Sequence, residues 1–139
     1  MINFGTLKYA PDDQLIEKSE KILGLQFTTS YKDFLKNYGG GEIGYEEIFS
    51  LYGVSFEEHP AGDIVDKNLY HRKKGFTKPH QLVVSNTDFG ETFYFDYSQF
   101  RDGECPLYCE TMSGESHYYA SNFYEFLCKR ILETAGEDS

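Results

Sequence analysis

The residues of this sequence whose side chains are most capable of metal binding or nucleophilic chemistry are three cysteines. Cys105 and Cys109 are spaced C-x3-C, and Cys128 follows further along the chain. A tetrahedral zinc site needs four ligands, usually two close cysteine pairs or a cysteine pair with a histidine pair. No second pair is present, because the four histidines are scattered. We therefore interpret the cysteines as free thiols, while a Cys109 nucleophile with His117 as its base stays open as an alternative.

Paired carboxylates are the second candidate for chemistry, at Glu46–Glu47 and at Glu57–Glu58. Acid–base catalysis needs two carboxylates that face one reacting group. Neighbours on a strand point to opposite faces, so a pair adjacent in sequence does not form such a dyad. The sequence also lacks phosphate-loop, nucleophile-elbow, zinc-protease and dinucleotide-binding motifs. It therefore predicts a protein without enzymatic activity, cofactor or metal.

Charge excludes other function classes. The chain has 139 residues, with 13 Lys and Arg against 23 Asp and Glu, a formal net charge of -10. Such a balance disfavours direct binding to nucleic acid or to an anionic membrane, which requires lysine and arginine. No apolar run approaches the roughly 20 residues of a membrane span, and the N-terminus shows no signal-peptide pattern. Three cysteines do not make a disulfide framework, so we expect a cytoplasmic protein.

The charges are unevenly distributed along the chain. Residues 37–66 contain seven acids and no lysine or arginine, whereas residues 67–78 contain five bases and no acid. Residues 79–121 again contain seven acids, and Arg101 is their only base. Acidic blocks of this kind are either solvated surface or a negative face that attracts a basic partner and accelerates its association.

Hydrophobic periodicity predicts the elements that position these residues. The first helix begins after Pro11 and ends at Gly24, which can adopt the left-handed conformation of a helix C-terminus. The second begins at Thr28 or Thr29 and ends at the glycine run 39–41. Short strands follow within 43–51, Asp63 caps a short helix, and a last helix begins at Ser121 or Asn122. The clearest strands are predicted at 81–85, 91–97, 106–110 and 116–120.

This order of elements predicts an α+β fold. We expect a mostly antiparallel, possibly mixed, sheet packed with two N-terminal helices and one C-terminal helix. The chain forms a single domain over residues 1–139, with its core at about 10–134.

A family resemblance is carried by the segment from Ile16 to Gly41. It resembles the opening of the SMI/KNR-like domains of the SUKH superfamily, although Phe27–Thr28 replaces the usual Leu-Pro pair. The strand Phe93–Asp96 and the segment Ser121–Leu127 resemble two later motifs of that family. The first segment matches at Glu20, Leu23, Gly24, Tyr31, Phe34, Leu35, Asn37 and the three glycines.

The resemblance implies an α+β fold and, for bacterial single-domain members, an immunity protein. Such proteins bind and neutralise a cognate toxin, often a nuclease. Eukaryotic members resemble regulatory hubs that carry long disordered flanks, and this sequence has none. The resemblance thus favours an immunity protein whose partner is a basic toxin domain. A regulatory or scaffold interaction domain stays open as the alternative.

Aromatic residues beside acids indicate where a partner could bind. On the predicted strand at 91–97, Tyr94 and Asp96 share the face opposite to Phe93 and Phe95. Tyrosine is enriched at binding hot spots, so Tyr94, Tyr118 or Tyr119 could contribute contact area. The predicted partner-binding residues are Glu42, Tyr45, Glu46, Glu47, Glu57, Glu58, Asp63 and Asp96.

Overall fold

The computed structural model describes residues 2–4, 11–43, 46–51, 63–87 and 89–137. These ranges contain four α-helices, seven β-strands and one short 3-10 helix, so the predicted α+β class is confirmed. The elements in chain order are β1 (Ile2–Phe4), α1 (Asp13–Leu23), α2 (Thr29–Tyr38), β2 (Gly41–Ile43), β3 (Glu46–Ile48), α3 (Ile64–Lys73), β4 (Gln81–Asn86), β5 (Thr92–Asp96), the 3-10 helix (Tyr97–Gln99), β6 (Leu107–Glu110), β7 (Ser116–Ala120) and α4 (Phe123–Glu137).

The seven strands form one meander in which each strand pairs with the next along the chain. Every ladder is antiparallel, so the sheet is not mixed. The parallel pairing among the described residues is an isolated bridge between Ser50 and Asp63. Strand β1 adds a seventh strand that lies N-terminal to the predicted core.

Side-chain caps fix the starts of the first two helices; the cap at Thr28 was predicted, whereas α1 begins two residues after Pro11 with Asp12 as its cap. Asp12 Oδ1 accepts a hydrogen bond from Leu15 N at 2.9 Å, and Thr28 Oγ1 accepts one from Tyr31 N at 3.2 Å. Gly24 follows α1 with φ of 72°, a left-handed conformation that glycine adopts without steric cost. Thr28 stands where the resemblance would place a proline. It also starts the helix, but it does so through a side-chain hydrogen bond and not through a fixed φ.

The core lies between the sheet and the helices α2 and α4. Phe93 and Phe95 of β5 are fully buried, and Phe95 packs edge to face on Tyr31 of α2 with ring centroids 5.6 Å apart. Phe93 packs on Phe126 of α4 at 5.2 Å. We call the side of the sheet that these helices cover the inner face. Burial of several aromatic rings here supplies a large share of the folding free energy.

Helix α3 packs against β4 beyond the point where β3 pairs with that strand. The Asn68 side chain is fully buried, and its Nδ2 donates to Val83 O at 2.9 Å while its Oδ1 accepts from Val83 N at 2.7 Å. The Asn68 amide therefore satisfies both the backbone N–H and the backbone C=O of Val83, which has no pairing partner on β3. None of the helices in the described ranges is long and apolar enough to span a membrane.

Candidate partner-binding site

The side of the sheet opposite to the inner face carries most of the tyrosines and acids of the strands. Because side chains alternate along a strand, residues between those that face the helices lie on this side. The register aligns them across β5, β6 and β7: Tyr94 is opposite Tyr108, and Tyr108 is opposite Tyr118. We call this side the outer face; its members are Glu42, Glu47, Thr92, Tyr94, Asp96, Tyr108, Glu110, Ser116 and Tyr118.

Three tyrosines form a ladder across the outer face. The rings of Tyr94 and Tyr108 are stacked at 5.9 Å with an interplanar angle of 17°, and Tyr118 meets Tyr108 edge to face at 6.0 Å. The Tyr94 hydroxyl donates to Ser116 Oγ at 3.1 Å. Tyr94 is only 7 % exposed, whereas Tyr118 is 58 % exposed. The buried ring therefore supports the ladder, and Tyr118 presents it to a partner.

Asp96 holds the end of this ladder in place. Its carboxylate accepts hydrogen bonds from Ser98 Oγ at 2.6 Å and from Gln99 Nε2 at 2.9 Å. The same Gln99 amide donates to the Tyr108 hydroxyl at 3.0 Å. Partial burial opposes ionisation of Asp96, but these hydrogen bonds outweigh it and lower its pKa. Asp96 thus remains an anion that also orients Tyr108.

The strands give the outer face a negative charge. Over the described ranges they place four acids on this face, Glu42, Glu47, Asp96 and Glu110, and contain no lysine or arginine. Glu42 lies directly opposite Glu47 on the outer face. The two carboxylates therefore lie side by side on one face of the sheet, where their charges repel each other. Within the described part of the chain, no cation forms an ion pair with Glu42 or with Glu110.

Glu46 lies on the inner face, away from Glu47. Its carboxylate accepts hydrogen bonds from Arg130 of α4, from Nε at 3.0 Å and also from the second guanidinium nitrogen. The side chains of Arg130 and Glu46 are only 5 % and 14 % exposed. Burial opposes the Arg130 charge, but the hydrogen bonds from Arg130 to Glu46 outweigh it and raise the Arg130 pKa. Glu46 therefore ties α4 to β3 and is not presented to solvent.

Asp63 is 4 % exposed and caps α3, because its carboxylate accepts from Asp66 N at 3.0 Å. This confirms the predicted helix start at Asp63 and places its side chain inside the fold. Tyr119 also faces inward, with its ring 4.8 Å from that of Phe93. Three other predicted residues, Tyr45, Glu57 and Glu58, lie outside the described residues.

Two of the three cysteines, Cys105 and Cys109, are poorly suited to nucleophilic chemistry. Cys105 and Cys109 are buried, and burial raises the pKa of each thiol to about 12. Cys109 lies opposite His117 in the register, but its thiol donates to Glu91 at 3.5 Å and His117 lies 3.7 Å from Glu115. Thiolate is the reactive form, and pKa values this high leave both groups as neutral thiols at pH 7. The described residues contain no group of three or more side chains that could hold a metal ion.

Residues 13–127 match the family model SUKH_6, described as SMI1-KNR4 cell-wall. The chain belongs to the SMI1-KNR4 family of the SUKH superfamily. This family is known for toxin-immunity roles and is generally non-enzymatic. No curated protein matches the chain.

The residues that carry the family resemblance mostly build the SUKH core. Glu20 accepts a hydrogen bond from Phe27 N at 2.7 Å and so closes the connection between α1 and α2. Phe34, Phe123 and Phe126 are fully buried. The family signature therefore specifies the inner face and the helix connections, and most of the outer face lies outside it.

Sequence reasoning missed Tyr108 and Glu110, the tyrosine and the acid that β6 contributes to the outer face. Both belong to the strand predicted at 106–110, and their alternation with Cys109 indicated a shared side. The missing information was the register, which aligns Tyr108 with Tyr94 and Glu110 with Thr92. The signal available in the sequence was a tyrosine in each of three successive predicted strands.

Proposed function

We propose that this SUKH-family protein is an immunity protein that binds and neutralises a cognate basic toxin, a nuclease, with its outer face. The observation that carries the proposal is the outer face itself, where the tyrosine ladder lies among carboxylates and the described strands contain no lysine or arginine. Family membership supports the immunity role.

The chemistry of this face matches what a nuclease presents. A nuclease binds the phosphate backbone through lysine and arginine, so its substrate site attracts anions. Glu42 and Glu110 would pair with those cations in place of phosphates. Tyr118 and Tyr108 would add contact area with little loss of side-chain entropy. Inhibition would follow from occlusion, since a toxin covered in this way cannot bind its nucleic acid.

Co-expression with the toxin encoded beside the gene tests the proposal. We expect cells that produce both proteins to grow and the two proteins to co-purify as a complex. The toxin should lose nucleic-acid binding in that complex, because the two ligands compete for one surface. Absence of both protection and complex formation would overturn the proposed function.

A control variant separates loss of binding from loss of folding. Glu110→Lys changes the outer face, whereas Glu17→Lys makes the same change in net charge on an exposed residue of α1. Protection should fall with the first variant at limiting expression and persist with the second. Equal protection by both variants would show that the toxin binds elsewhere.

A further inference from the structure

A cleft of about 430 Å³ lies at one end of the outer face. Thr92 and Glu110, which are opposite each other on β5 and β6, form its sheet side. His71 and Phe76 line it from the end of α3 and the turn that follows, and Met112 lines it from the turn between β6 and β7. We call it the Phe76–Met112 cleft. It is large enough to hold a side chain of a partner.

The cleft has exposed apolar walls. Phe76 is 63 % exposed and Met112 is 81 % exposed, whereas the apolar side chains of the core are almost completely buried. Phe76 is held by the His71 ring, with centroids 6.0 Å apart. Met112 lies directly on the backbone of Gly90, where an added Cβ would be 2.3 Å from Met112 Cγ. A flexible methionine thioether in the lining is typical of surfaces that adapt to a bound side chain.

Glu110 determines the charge of the cleft. The residues of the described ranges that line it include no lysine or arginine, and Lys74 and Lys78 are not among them. Burial lowers the pKa of His71, and the nearby Lys67 lowers it further, so this imidazole is neutral at pH 7. Among the described lining residues, the full charge is therefore the Glu110 carboxylate, which lies beside the apolar side chains of Phe76 and Met112.

We infer that the Phe76–Met112 cleft binds an aromatic or long aliphatic side chain from a toxin segment that carries lysine or arginine next to it. The apolar side chain would pack between Phe76 and Met112, and the adjacent cation would pair with Glu110. This inference rests on the proposed function, because Glu110 and Thr92 belong both to the cleft and to the outer face. It adds an apolar anchor to an interface otherwise described by charge and tyrosines.

Alanine variants test the anchor in the toxin complex. Phe76→Ala with Met112→Ala should raise the dissociation constant by about 10-fold or more, since buried anchors dominate binding energy. The matched control is Phe89→Ala with Leu132→Ala, two residues of similar exposure, 73 % and 72 %, that do not line the cleft. A control pair that weakens the complex as much as the cleft pair would overturn the inference.

A peptide titration tests the cleft without the toxin. Acetyl-Lys-Phe-Lys-amide at millimolar concentration should shift the backbone amide signals of Gly90, Thr111 and Gly114, which line the cleft, but not that of Gly24 on α1. Acetyl-Glu-Phe-Glu-amide and acetyl-Lys-Ala-Lys-amide should shift them much less. Equal shifts from the three peptides, or shifts elsewhere, would overturn the inference, whereas failure of the wild-type chain to protect against the toxin would overturn the proposed function.

Discussion

The inner and outer faces of one sheet are made by alternating residues of the same strands, yet they differ in composition and in task. On β5, Phe93 and Phe95 are fully buried against the helices, while Tyr94 and Asp96 belong to the outer face. The inner face is apolar and contains residues of the family signature. The outer face is acidic and rich in tyrosine. Because the two sets alternate, partner recognition can change while the residues that stabilise the fold stay the same.

The largest effect is expected from truncating an aromatic residue of α4 that is buried between α2 and the inner face. Phe123 is fully buried and contacts the rings of Tyr31 and Phe34 at 5.1 Å each. Phe123→Ala should lower the free energy of unfolding by about 4 kcal/mol, because the cavity and the lost burial both cost stability. Urea denaturation measures this change. Tyr124→Ala, one residue further and 45 % exposed, is the control and should cost less than about 1 kcal/mol.

Two neighbouring acids give the next largest contrast. Glu46→Ala should destabilise the protein by about 3 kcal/mol, because it leaves the buried Arg130 charge without its main partner. Glu47→Ala should cost less, about 1 kcal/mol, because the Glu47 side chain lies on the outer face opposite Glu42 and not against the buried Arg130. Thermal or urea unfolding of the two variants measures the difference. Equal losses would show that Glu46 and Glu47 are not separated by the sheet in the way described.

The smallest effect concerns the association rate. Glu42→Lys should slow toxin association several-fold at low salt and reduce the salt dependence of the rate, because it removes part of the attracting field. Stopped-flow mixing over a range of salt concentrations measures both quantities. Glu17→Lys has the same effect on net charge and should change the rate less. Equal association rates for the Glu42→Lys and Glu17→Lys variants would contradict the assignment of the outer face as the interface.

The inner face was largely predictable from the sequence. Apolar residues at helical spacing, the cap at Thr28 and the glycine at 24 each act within a few residues, so a local pattern reveals them. The strand pattern around Phe93 and Phe95 likewise indicated a buried side. These predictions of helix ends and strand positions are confirmed.

The outer face was only partly predictable, because it depends on contacts distant in sequence. Alternation placed Tyr94 and Asp96 together, but the alignment of Tyr108 with Tyr118 depends on a register shift next to Leu107. The pairing of Glu46 with Arg130 joins positions 84 residues apart, and no local pattern indicates it. Asp63 was predicted both to cap a helix and to bind a partner, and its burial shows the first role.

The affinity of a matched pair of double variants for the cognate toxin tests the central claim most directly. Glu110→Lys with Tyr118→Ala changes the outer face, and Glu17→Lys with Tyr124→Ala makes the same chemical changes on helices. We predict that the first pair raises the dissociation constant about 100-fold, as expected for a charged contact and an aromatic hot spot, while the second changes it less than about 3-fold. Equal dissociation constants for the two folded variants would contradict the assignment of the outer face as the toxin-binding surface.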